Sequence, residues 1–123
     1  MQIQVSTDHN IDGHQSLTEF VRSVVKSALS RFSEHITRVE VHLSDENSDK
    51  KVGHDTLRCV MEARLEGRQP IAAIHRATEM NESVEGAAEK LAGLIDHILG
   101  RERHQESHRA DPDPSLPEPV ERP

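Results

Sequence analysis

The chain has 123 residues and a formal charge of −7, with 15 Lys and Arg against 22 Asp and Glu. That length suits one domain with a modest core, and the charge argues against a general nucleic-acid binder, whose field is basic, so an anion-binding role has to come from a local patch. No apolar run is long enough to span a membrane, residues 1–8 carry no signal-peptide pattern, and the single cysteine, Cys59, permits no internal disulfide, so a reducing, cytoplasmic setting is expected.

Met1–Thr7 alternates, with Ile3 and Val5 on one side and Gln2, Gln4 and Ser6 on the other, as a short half-buried strand does. Asp8–Gly13 is rich in turn formers. Ser16-Leu17-Thr18-Glu19 fits a capping box, opening a helix that buries Leu17, Phe20, Val21, Val24, Ala28 and Phe32 and shows Arg22 and Lys26 one turn apart on its polar side. Ser33–His35 ends it. Ile36–Glu46 reads as a strand with Val39, Val41 and Leu43 inward and Arg38, Glu40 and His42 outward.

Asn47–Asp55 is a polar loop holding Lys50, Lys51 and Gly53. In Thr56–Glu66 the alternation returns: Leu57, Cys59, Met61, Ala63 and Leu65 share one face, Arg58, Glu62 and Arg64 the other. Residues 67–70 form a turn, and Ile71–Thr78 is a weaker strand whose leading Pro70 suits a sheet edge.

The longest helical signal is Asn81–Arg103, with Val84, Ala87, Ala88, Leu91, Leu94, Ile95, Ile98 and Leu99 on one stripe. Asn81 suits its N-cap. Glu82, Glu85 and Glu89 lie near the positive end of the dipole, Arg101 and Arg103 near the negative end.

The element order is β-α-β-β-β-α. Short connections between the last three strands favour an antiparallel meander. One apolar face per strand means one covered face, so the expected fold is a two-layer α+β sandwich over residues 1–104: a mostly antiparallel four-stranded sheet with both helices on one face. Residues 105–123 hold all but one of the prolines and little that is apolar, and read as a disordered acidic tail. Arg109 and Arg122 there oppose Glu106, Asp111, Asp113, Glu118 and Glu121, a net −3 that leaves −4 on the domain.

Signals for chemistry are weak. His104 and His108 alone among nine histidines have helical ligand spacing, and no third ligand accompanies them, so no metal site and no cofactor are expected. Cys59 falls in phase with Leu57 and Met61 and reads as core. The glutamates at the start of the second helix are explained by its dipole, and there is no phosphate loop, nucleophile elbow or dinucleotide fingerprint. No enzyme is expected. Arg22, Lys26, Lys90, Arg101 and Arg103 could line a groove between the helices and neutralise phosphates; spacing alone favours a solvated face interleaved with Glu19, Glu89 and Glu102.

A resemblance changes that balance. The segments MQIQVSTDHNI, LTEFVRSVVKSALSRF, ITRVEVHLSDE, RCVMEARLEG and AAEKLAGLIDHIL, in this order and over about residues 1–104, resemble the bacterial ribosome hibernation-promoting factor and ribosome-associated inhibitor family. The resemblance implies a fold similar to double-stranded-RNA-binding domains and a stress or stationary-phase protein. Such a protein binds the small ribosomal subunit through 16S rRNA and stops translation without chemistry. It carries the RNA-binding role onto Arg22, Lys26 and Lys90, with Arg101 and Arg103 as extensions. Gly93, Leu94, Asp96, Ile98 and Leu99 stand where the family's second helix is often basic, and the tail is too short for the dimerising domain of the family's long form. The alternative reading is a protein-interaction module, a weak homodimer through the Arg/Glu-studded sheet face or the Pro70 edge.

Overall fold

The computed structural model describes residues 1–8, 11, 15–46 and 57–110, the last ten as helical backbone only. Its elements are β1 (Gln2–Thr7), α1 (Gln15–Leu29) continued by a 3-10 turn (Ser30–Phe32), β2 (Ile36–Asp45), β3 (Leu57–Leu65), β4 (Ile71–Ala77) and α2 (Met80–Ala110). The 47–55 loop, most of the 8–13 turn and residues 111–123 of the expected tail lie outside the described residues.

The strands lie in the order β1-β2-β3-β4. β1 and β2 run parallel because α1 carries the chain back between them, while β2–β3 and β3–β4 are antiparallel. The fold is an α+β sandwich with both helices on one side, α2 over β3 and β4 and α1 against β1 and α2.

Register aligns the inward residues into rows that cross the sheet. Ile3, Val39, Ala63 and Ile71 make one; Val5, Val41, Met61 and Ala73 the next; Thr7, Leu43, Cys59 and His75 a third. Val39, Val41, Cys59, Met61 and Ala63 are wholly buried, in one core with Val21, Val25 and Leu29 of α1 and Val84, Ala87, Leu91 and Ile95 of α2.

Ile36 is also buried, three positions before Val39, which strict alternation forbids. A register shift between Ile36 and Arg38 resolves the parity. Thr37 is the extra residue, and its hydroxyl donates to the Arg64 carbonyl at 3.1 Å. Just past this same end of β3, Gly67 turns the chain at φ +72°, a conformation open to glycine without strain.

Both helices differ in detail from the sequence expectation. On α1 the fully buried line is Val21, Val25 and Leu29, whereas Leu17, Phe20, Val24 and Ala28 are its half-buried flank. The helix has already begun at Gln15, so Ser16 is its second residue rather than its cap, and Glu19 accepts a hydrogen bond from the Gln15 amide at 3.0 Å. α2 starts at Met80, not at an Asn81 cap, because the Glu79 carbonyl accepts the Ser83 N–H at 3.1 Å and closes the first turn. Ser83 is buried, and its hydroxyl donates to the Met80 carbonyl at 2.8 Å. Leu94 is 43% exposed instead of core. The helical backbone continues through residues 105–110, where the tail was expected to begin.

α2 packs close against β4 at Gly86. A Cβ built there would lie 2.2 to 2.5 Å from the His75 ring, far inside contact distance. Gly86→Ala is therefore expected to destabilise the fold by about 1–3 kcal/mol despite alanine's better helix propensity. Adding His75→Ala should recover most of the loss, as read from urea denaturation midpoints; a Gly86→Ala protein as stable as the parent would contradict this packing.

Candidate nucleic-acid interface

Charge in this domain divides between two surfaces, and pairing distinguishes them. On α1, the spacing of Gln15, Glu19, Arg22 and Lys26 (four, three, four) sets them in one line along the helix. Arg22 and Lys26 are exposed, and neither has an ion-pair partner among the described residues. Lys26 sits in the last turn, where the helix dipole favours a cation. Arg31, just beyond, stacks its guanidinium 4.5 Å above the Phe32 ring.

Lys90 is exposed on α2, but its ammonium donates to the Ile74 carbonyl at 3.0 Å. Ile74 lies on the edge strand β4, so Lys90 covers a backbone acceptor that an incoming strand could otherwise use. Arg101 and Arg103 belong to the helical backbone of α2 in the stretch whose side chains lie outside the described residues, as do His104 and His108. The structure thus places two of the five sequence-derived cations side by side on α1 and commits a third to β4.

The second surface is the sheet face that no described element covers. It carries Arg38, Glu40 and His42 from β2 and Arg58, Glu62 and Arg64 from β3, as the alternation implies. Its arginines are already neutralised. Arg38 pairs with Glu40, and Arg64 with Glu62 at 3.6 Å, each two residues along its own strand. Arg58 and Arg76 face each other directly across β3 and β4, a repulsive arrangement. Glu46, at the end of β2, stands between them at 3.5 Å from Arg58 and 3.0 Å from Arg76. The hydrogen bond from Arg76, and then the fields of Arg76 and Arg58, hold the Glu46 carboxyl below its usual range. Arg76 and Glu46 escaped the sequence reading because only the β3–β4 register reveals their meeting.

Elsewhere the chemistry is quiet. Burial pushes the Cys59 thiol up to about 12, so no thiolate forms near neutrality. Among the described residues no three His, Cys, Asp or Glu side chains gather as metal ligands would, and no helix is long and apolar enough to cross a membrane.

Against known proteins, the family model for sigma 54 modulation protein / S30EA ribosomal protein matches residues 3–103. No curated protein sequence matches. Among solved structures, the protein Y N-terminal domain of Thermus thermophilus superposes with a TM-score of 0.64 at 13% identity, over 80% of this chain and 99% of that one. A ribosomal subunit interface protein from Coxiella burnetii gives 0.60 at 16% identity, over 81% and 99%. At such identities the likeness speaks to the fold.

Glu46 generates a pH prediction. Its folded pKa lies below the unfolded value, so its contribution is present above about pH 4.5 and lost as pH falls through the folded pKa. Exposure limits that contribution to about 1 kcal/mol at most. Glu46→Gln should lower the melting temperature modestly at pH 7 and make no difference well below pH 4; an equal effect at both pH values would contradict the Glu46 bridge.

Proposed function

Because the chain belongs to the sigma 54 modulation protein / S30EA ribosomal protein family, that of the ribosome hibernation-promoting factors, we propose that it is a non-enzymatic, ribosome-associated factor. In this reading it binds the small ribosomal subunit of a bacterial cytoplasm through 16S rRNA and inhibits translation in stress or stationary phase. The observation that carries the placement of its site is the contrast between the two charged surfaces. A cation bound to a neighbouring carboxylate must give up that partner to meet a phosphate. Arg22 and Lys26 have no such partner among the described residues, whereas the sheet-face arginines do. Phosphate contacts fix position and supply most of the salt-sensitive affinity.

Lys90 joins the site by releasing the Ile74 carbonyl, or by contacting phosphate with a donor that this bond leaves over, since an ammonium carries three. Arg101 and Arg103 extend the same helix beyond the sheet. Inhibition follows from occupancy: a rigid domain lying where messenger and transfer RNA must pass needs no reaction to stop translation.

Combined Arg22→Glu and Lys26→Glu tests the placement without touching the core or the Lys90 bond. The double variant is expected to lose at least tenfold in affinity for purified small subunits and to relieve inhibition of cell-free translation, with an unchanged thermal melt. Unchanged subunit affinity would place the site elsewhere.

A further inference from the structure

The uncovered sheet face has a charge pattern that is complementary to itself. Its central row, across the strands, holds His42, Val60 and Ile74, with Ile74 40% exposed. On one side stand Glu40, Glu62 and Ala72, with Arg38 and Arg64 beyond them. On the other stand Ser44, Arg58 and Arg76, with Glu46 just past the end of β2. Sign therefore inverts about a partly apolar line.

We propose that this face pairs with the same face of a second copy of the chain. A two-fold axis lying in the face, across the strands at the level of Val60 and Ile74, exchanges positions equidistant from that line. Glu62 of each copy then meets Arg58 of the other, and Arg38 meets Glu46. Glu40 meets Ser44 and Arg76 meets Ala72, so none of these charges opposes one of its own sign. His42, Val60 and Ile74 lie on the axis and meet their own counterparts, as an isologous contact requires. Aligned sheets cross at about 30°, which these flexible Arg and Glu side chains can span.

The size of the face sets the strength. Four strands about 4.8 Å apart and some seven residues long at about 3.3 Å each cover roughly 450 Å². A standard stable interface takes about 800 Å² from each partner, so this is a weak dimer. The inference rests on the sheet face alone and is independent of the ribosome reading, whose cations lie on the helices.

Sedimentation equilibrium of the full chain from about 10 μM to 1 mM tests it. The mean mass is expected to rise from monomer toward dimer. Ile74→Lys, at an exposed position, should weaken association at least tenfold. Arg58→Glu and Glu62→Arg should each weaken it, and their combination should restore it, because the exchanged charges again meet their opposites. A chain that stays monomeric to 1 mM, or a dimer undiminished by Ile74→Lys, would overturn the proposal.

Discussion

One constraint underlies the whole molecule: a four-stranded sheet with a single apolar face has to be covered, and two helices are the only described material to cover it. Burial of Val39, Val41, Cys59, Met61 and Ala63 in one core with the helix residues Val25, Leu91 and Ile95 excludes water from the inward rows. Packing that dense leaves no room for charge, so among the described residues no Lys or Arg is buried. Alternation sends some arginines to the far side of the sheet, and helical periodicity sends Arg22, Lys26 and Lys90 to the outer surface of the helices.

The two resulting surfaces differ in kind. On a flat sheet, neighbouring strands hold side chains about 5 Å apart, and stacked arginines are tolerable only with carboxylates among them. Glu40, Glu46 and Glu62 serve that purpose, and every arginine of the face has a carboxylate beside it, although Arg58 and Arg76 share one. On a helix exposed along one line, two cations need no such neutralisation, because water and salt screen them within about 8 Å. An acidic chain can therefore keep a local anion-binding patch, and the formal charge of −7 sets the background against which it works.

Most of this architecture was legible in the sequence. The strands follow from period-two patterns such as Val39, Val41 and Leu43, and the helices from three- and four-residue spacings such as Leu91, Ile95 and Leu99. What escaped had physical reasons. Thr37 bulges where two buried residues differ in parity, which a simple alternation cannot represent. Val25 and Leu29 form the centre of the α1 face although their neighbours Val24 and Ala28 are also apolar, and only the partner surface decides which line is deepest. The start of α2 is fixed by a backbone carbonyl at Glu79, which side-chain preferences do not encode. The candidate site was half legible: periodicity showed Arg22 and Lys26 on a polar face, but the bond from Lys90 to Ile74 is tertiary and has no local signature.

The account is tested most directly by co-sedimentation of the chain with purified ribosomal subunits over a range of salt concentrations. It predicts binding to the small subunit that weakens steadily as salt rises, with log affinity against log salt falling by roughly one for each cation–phosphate contact. No binding to the small subunit at low salt, or binding indifferent to salt, would contradict a phosphate-directed role for the helix cations.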